Sequence, residues 1–559
     1  MIPRKLKILG LAGALAFIAV LIFFISRKKF LDPDELETLY ASWLMFKGKM
    51  VYRDFYQIHT PLAYFLFSPI FLFFKSLKVI AACRALVFVL IFFNGFLLFK
   101  IARRLFNAKT AVASLFFYLT SWPVFYKMIE IRPDIFVAIF VNLSLIALLA
   151  KSGNAPGFFI LAGALCGLAF LAKQSGAIFF LALMLFFVLS PAVTRRCSPH
   201  DGIFSPKRFN IKTFLGLIVG FWAVLAIFFL FLRMNKAAGC FIAYSVKNDF
   251  LHKFLFLRIQ AVHWLPFKFI KESFMFNPLI YICAVSSALV FMIPSDRRRM
   301  PGAYVFILSL TLVCFASLFL ILHPWAQEFI LPGQYLAILA GAGLIKLLEH
   351  IRSPGLKTAQ RRIYSVVIAG CIAAGGWIFL SGVRAESRLA WIDSERSLEK
   401  ILVLTGENDK CISLRFPCLF RPSAYFYRVG SNLMESPSGR EKIGNALISD
   451  IERGDIKIIL WSYQLDKMPD LAARIKQSYI PRTENIFIPG AQVDLSDGLV
   501  KYIDILVEGR YRISVGNPRG IIGWQGLSEN PVYLKRGRYP LVGSSRIGKV
   551  RLSYDFGAR

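Results

Sequence analysis

Along most of this chain the apolar positions neither alternate nor recur on one helical face; they run on without interruption. A helix needs about 20 apolar residues to cross a bilayer. Eleven stretches approach that length: 8–26, 84–101, 110–127, 133–150, 157–173, 176–194, 213–232, 276–293, 302–321, 328–347 and 363–381. One more, TPLAYFLFSPIFLFF at 60–74, is short and carries two prolines, and predicts an interfacial or re-entrant helix. After about residue 382 the pattern changes, because charges, Gly and Pro return and no further span follows. KIGNALISDIERGD (442–455) has the pattern of an amphipathic helix ending at Gly454, and IKIILWSY (456–463) that of a buried strand. Region 383–497 is therefore expected to be a small α/β unit. From 498 the chain alternates between apolar and polar with frequent turns, as in YIDILVEGRYRISVG, VYLKRGRYPLVG and KVRLSYDF. That predicts a β-rich domain over 498–559, a small antiparallel sandwich.

The polar connections orient the spans. ARRLFNAK (102–109), TRRCSPHDGIFSPKRFNIK (194–212), SDRRRM (295–300) and EHIRSPGLKTAQRR (349–362) are dense in Lys and Arg, whereas YKMIEIRPD (126–134) and HPWAQEF (323–329) carry few. Positive charge marks cytoplasmic loops. This predicts a multi-pass protein of the cytoplasmic membrane with its N-terminus inside. Loops 27–83 and 233–275 and the C-terminal region then face outward, and 60–74 does not cross. The basic MIPRKLK leads into an apolar run too long for a signal-peptide core, with no small-x-small site, so the first span is expected to stay uncleaved.

Composition agrees with the pattern. The chain of 559 residues is 57% hydrophobic with a mean hydropathy of +0.58, and the fold class is a polytopic α-helical membrane protein of about 11 transmembrane helices spanning 1–382, followed by the extracytoplasmic region. Lys and Arg number 67 against 33 acids, a net charge of +34. These bases are spread between spans rather than gathered on one face, which points to membrane lipids and excludes a nucleic-acid partner. The nine cysteines contain no CxxC pair. Cys411 and Cys418 lie in the polar tail and could pair outside the cytosol; two unpaired thiols are the alternative.

Acids are scarce, yet FLDPDELETLY (30–40) gathers Asp32, Asp34, Glu35 and Glu37. Asp32 at N-cap, Pro33 at N1 and Glu35 at N3 predict a capping box, with Leu31 and Leu36 as its hydrophobic staple. Glu37 is expected to face water. Asp34 at N2 is not required by this cap. The positive helix end keeps it ionised, and an ionised carboxylate there is suited to act as a general base on a hydroxyl or amine.

The order DPDE…Y…W…G…VYRDFYQIHTPL after a first span, then IRPD (131–134), LAKQSG (171–176) and HPWAQEFILPGQYLAILAG (323–341), resembles the GT-C superfamily of membrane glycosyltransferases. The similarity is to the branch of protein O-mannosyltransferases and lipid A aminoarabinose transferases, over roughly residues 8–345. The resemblance implies an inverting, polyprenyl-phosphate-sugar-dependent glycosyltransferase, moving a hexosyl or pentosyl group at the outer membrane face. The donor would be a polyprenyl-phosphate-linked sugar, and the acceptor a lipid, glycan or protein. Asp34 matches the first acid of the family's pair, the base, and Glu35 the second.

Further candidates lie on the outward side. Arg53 and His59, the latter before the Thr60-Pro61 turn, would shape the sugar pocket or contact phosphate, or else be an interfacial Arg and a hydrogen-bonded His. Arg132 and Asp134 would contact phosphate or pair with each other. Lys173 and Gln174 interrupt an apolar region, where an ionisable group is usually functional, and are assigned to the carrier phosphate. His323 and Gln327, with Trp325 and Glu328, would line the lipid-phosphate groove or belong to an aromatic belt. No cofactor is expected, since no compact metal-ligand spacing occurs; His59 and His323 with the acids are the residues that could hold a divalent metal of the kind some relatives use. A flippase or transporter of lipid-linked sugars and an envelope assembly scaffold are the rival classes. The chain lacks a clear inverted repeat of broken spans, which weighs against transport.

Overall fold

The computed structural model describes residues 4–29, 31–150, 156–194, 211–251, 265–292, 302–320, 325–352, 358–387, 392–414, 417–424, 437–497, 499–515, 531–542 and 549–557. It divides into two compact units: Met1–Phe30 with Ile58–Ala390, and Leu31–Gln57 with Trp391–Arg559.

The first unit is helical. Among the described residues each predicted apolar stretch overlaps a helix, as in Arg4–Lys28, Lys78–Leu105, Asp134–Leu148, Pro156–Ala172, Ile211–Met234 and Ile330–Ile351, but 110–127 is divided between Ala108–Leu119 and the short helix Val124–Met128. Among the described residues, four helices are by themselves long and apolar enough to cross a membrane, or five if one bent pair is counted as one span. That pair, Leu265–Phe276 and Pro278–Leu289, bends by 102°. Pro278 cannot donate to the preceding turn. Asn277 at the break is buried and donates to the Thr120 carbonyl at 3.1 Å, so the bend is tied to a neighbouring helix end. Segment 60–74 forms a short α-helix, Leu62–Phe67, continued by a 3₁₀ turn, Ser68–Leu72. Eleven helical residues rise about 16–19 Å, short of the ~30 Å hydrocarbon core. Helices Pro156–Ala172 and Ile211–Met234 approach so closely at Gly163 and Gly220 that neither position has room for a Cβ, a small-residue contact typical of membrane helices.

The second unit begins with helix Pro33–Phe46 and resumes with helix Ile392–Leu404. Its strands are β1 (Lys410–Ser413), β2 (Ile456–Leu460), β3 (Tyr479–Pro481), β4 (Ile486–Asp494), β5 (Val500–Ile505), β6 (Gly509–Val515), β7 (Val532–Leu534), β8 (Gly537–Val542) and β9 (Lys549–Tyr554). The predicted amphipathic helix is Pro437–Glu452. Gly454 follows it with φ +74°, the left-handed conformation that ends helices. The two regions expected to be separate, 383–497 and 498–559, share one seven-stranded sheet of order β1-β2-β4-β9-β6-β7, with β3 also on β4. The reason is β4: its first half pairs with β2 and β3, its second half with β9. Helices cover the first half over a core that includes Ile443, Leu447, Ile451, Leu471 and Ile475. The β5–β8 ribbon covers the second half, with Ile503, Ile505 and Leu541 packed on Tyr511, Val550 and Leu552. Cys411 and Cys418 are joined in a disulfide, so the alternative of two free thiols does not hold. The fold brings their Cα atoms to 6.6 Å, within bridging range.

Candidate active site

The acidic turn in the second unit folds as its residues dictate. Asp32 is extended (φ −66°, ψ 139°) and its carboxylate accepts from the Asp34 N–H at 2.9 Å; Glu35 accepts from the Asp32 N–H at 3.1 Å, and the capping box is complete. Leu31 and Leu36 are both buried, as a staple requires. Glu35 is fully buried in this role. Glu37, expected in water, is half-buried. Asp34 is half-buried in the first turn; its carbonyl accepts from the Thr38 hydroxyl at 2.9 Å. The Asp32 and Glu35 side chains are thus occupied by the helix start.

Arg53 belongs to the same unit. It is exposed and holds Asp54 through two 2.8 Å hydrogen bonds, while Asp54 accepts from the Met50 N–H at 2.7 Å. The Arg53 hydrogen bond holds the Asp54 carboxyl below its usual range.

In the helical unit, Lys173 follows helix Pro156–Ala172 and is buried. Its ammonium donates to Asp134 at 2.7 Å and Glu328 at 2.9 Å. Two carboxylates against one ammonium leave a net negative charge, an environment unlike a phosphate cradle. Beside it, Gln174 Oε1 accepts at 3.1 Å from His59 Nδ1 in the tautomer that carries the proton there, and the Gln174 amide N–H donates to the Ile58 carbonyl. Thr60 donates to the Phe170 carbonyl at 2.7 Å. The structure therefore joins His59, Asp134, Lys173, Gln174 and Glu328 through the Lys173-Gln174 junction. Gln327 lies half-buried in the adjoining turn Ala326–Phe329; His323 lies outside the described residues.

Arg132 and Asp134 do not pair with each other. Arg132 binds Glu130 at 2.5 Å, and Glu130 also meets Lys29 at 3.1 Å and Lys127 at 3.2 Å, all at buried or nearly buried positions. Burial alone would raise the Glu130 pKa; the charges of Lys29, Arg132 and Lys127 outweigh it and hold the carboxyl well below its usual value. Three cations around one carboxylate leave an excess of two positive charges. Arg84, buried nearby in sequence terms to none of them, donates to the Ser26 and Lys29 carbonyls at 3.0 Å and closes the C-terminal end of helix Arg4–Lys28. Sequence reasoning missed Lys29, Arg84, Lys127 and Glu130. The available signal was Glu130 itself, an acid in an acid-poor chain flanked by Lys127 and Arg132. Among the described residues no group of three or more His, Cys, Asp or Glu could hold a metal ion.

Residues 58–204 match the family described as dolichyl-phosphate-mannose-protein mannosyltransferase. No curated protein matches the chain in sequence. Among solved structures, the fold is similar to ArnT from Cupriavidus metallidurans in the apo state, at 14% identity and TM-score 0.55, covering 86% of this chain and 98% of that one. The same protein bound to undecaprenyl phosphate matches at 13% identity and TM-score 0.53, covering 87% and 98%. The Archaeoglobus fulgidus oligosaccharyltransferase in the apo form matches at 11% identity and TM-score 0.52, covering 92% and 74%. The chain is a polytopic helical membrane protein whose fold is similar to those of ArnT and the archaeal oligosaccharyltransferase, and its residues 58–204 match the family described as dolichyl-phosphate-mannose-protein mannosyltransferase.

Proposed function

We propose that the protein transfers a sugar from a polyprenyl-phosphate donor to an envelope lipid, glycan or protein acceptor at the outer face of the cytoplasmic membrane, with inversion at the anomeric carbon. The acceptor hydroxyl or amine attacks the sugar C1, the bond from C1 to the phosphate oxygen breaks, and polyprenyl phosphate leaves with the electron pair. Asp34 takes the acceptor proton. The observation that carries this reading is the division of labour in one helical turn: Asp32 and Glu35 build the helix start, and the cap does not use the Asp34 carboxylate.

The carrier phosphate is assigned to the positive excess around Glu130, with Arg132 as the planar donor suited to phosphate. Lys173 is assigned instead to holding Asp134 and Glu328 together. ArnT bound to undecaprenyl phosphate supports a lipid phosphate as the leaving group. The Cys411–Cys418 disulfide supports an oxidising, extracytoplasmic location for the second unit.

Mass spectrometry of envelope glycolipids and glycoproteins tests the reading. Deletion of the chain should remove one sugar-modified species and accumulate its unmodified form; wild type should restore it, and Asp34→Asn at equal expression should not. An unchanged envelope on deletion, or full restoration by Asp34→Asn, would overturn it.

A further inference from the structure

We propose that the region after residue 391 holds the helix that carries Asp34: the disulfide-stapled loop ending at Ala424 clamps helix Pro33–Phe46, with Phe420 and Ser423 acting as positioning residues through Trp43 and Tyr40. The proposal rests on the reading of Asp34 given above and assigns a task to the C-terminal region.

Leu31–Gln57 forms one compact unit with Trp391–Arg559, although more than 300 residues separate them in sequence. The Ser423 N–H donates to the Tyr40 hydroxyl at 2.8 Å. The Phe420 ring meets Trp43 edge-on at 6.1 Å, and Trp43 lies 5.5 Å from Tyr40. Tyr40 and Trp43 are three residues apart and share one helix face. Burial pushes the Tyr40 hydroxyl up to about 12, so it stays a neutral phenol with an acceptor lone pair.

The loop that presents these contacts is held from three sides. The disulfide joins Cys418 to Cys411. The Cys411 N–H donates to the Pro422 carbonyl and the Ala424 N–H to the Cys411 carbonyl, both at 3.0 Å. Arg421 is buried, and its guanidinium donates to the Thr405 hydroxyl at 2.7 Å and to the carbonyls of Leu402 at 3.0 Å, Thr405 at 2.6 Å and Phe420 at 2.8 Å. That closes the C-terminal end of helix Ile392–Leu404. Between these anchors Phe420 has φ +66°, a conformation bulky residues keep only where the surroundings over-determine it. So fixed a loop is a support, and the helix it grips is short. Asp34 lies six residues before Tyr40, about 9 Å along the axis.

Two measurements on full-length protein test this. Hydrogen exchange of the 36–46 amides in detergent reads the clamp directly. Phe420→Ala and Tyr40→Phe should each speed that exchange by about tenfold, the loss of one aromatic or hydrogen-bonded contact, and Phe420→Tyr should restore it. Formation of the sugar-modified envelope species in cells reads the consequence. It should fall about tenfold in Phe420→Ala at equal expression, recover in Phe420→Tyr, and fall no further when Phe420→Ala is added to Asp34→Asn, because the two act through one group. Unchanged exchange overturns the clamp. Faster exchange with undiminished product, while Asp34→Asn abolishes it, overturns the positioning role and leaves the base in place. Undiminished product in Asp34→Asn alone overturns the reading of Asp34 and not the clamp.

Discussion

The buried ion clusters of the helical unit and the acidic turn of the second unit use scarce carboxylates differently. In the helical unit Glu130, Asp134 and Glu328 are consumed by cations: Glu130 by Lys29, Lys127 and Arg132, the other two by Lys173. In the acidic turn of the second unit the Asp32 and Glu35 carboxylates accept from backbone N–H groups. A charge buried among packed helices costs several kcal/mol unless an opposite charge meets it. A carboxylate at a helix N-terminus meets unsatisfied N–H groups and a favourable dipole, and can keep one face toward solvent. The first arrangement makes ion pairs that hold helices together; the second builds a helix start from the Asp32 and Glu35 carboxylates.

The largest effect that would break this comparison is on turnover. Asp34→Asn should lower sugar transfer by about 10²–10⁴-fold, the usual share of a general base, with normal expression. Asp32→Asn, itself a good N-cap, should stay within about a few-fold of wild type. The reverse result would exchange the roles of the two acids.

Removal of ions from the helical unit should cost stability instead. Glu130→Ala leaves Lys29, Lys127 and Arg132 facing one another, and Lys173→Met leaves Asp134 against Glu328; each should lower stability by about 3–5 kcal/mol, read as earlier thermal unfolding in detergent. If Lys173→Met unfolds like wild type and only donor use suffers, Lys173 is a phosphate contact after all.

The Glu130 cluster also predicts a pH slope. Its folded carboxyl titrates below the ordinary value of 4.5, so the stabilisation is complete above that value and is lost as pH falls through the lowered folded pKa. Unfolding temperature should drop on acidification below the ordinary glutamate range, and Glu130→Gln should show a shallower drop from a lower starting point.

The smallest effect belongs to Arg53. Its pair with Asp54 is solvent-exposed, so Arg53→Ala should change stability by about 0.2–1 kcal/mol and less in high salt. A loss of transfer at unchanged stability would return Arg53 to the substrate-contacting residues.

Local chemistry made some of this readable in advance. The order Leu-Asp-Pro-Asp-Glu-Leu is enough to build the cap at 32–35, since every bond in it joins residues no more than three apart. Gly454 ends its helix for a comparable reason, and the alternation of exposed Tyr502 with buried Ile503 and Ile505 follows from the pleat of one strand. Continuous apolar runs are sufficient to specify membrane helices.

Choices among possible partners were another matter. Arg132 binding Glu130 rather than Asp134, Lys173 reaching Glu328 across 155 positions, Cys411 joined to Cys418, and β4 merging two expected domains into one sheet all depend on where packing sets the chain. Sequence alone determined the apolar helices, the amphipathic helix before Gly454, the strand at Ile456–Leu460 and where one acidic helix begins, because those follow from neighbours along the backbone. Tertiary structure decided which charge neutralises which and what grips the Asp34 helix, because electrostatic and packing energies depend on distance in space, and that distance exists only once the chain has folded.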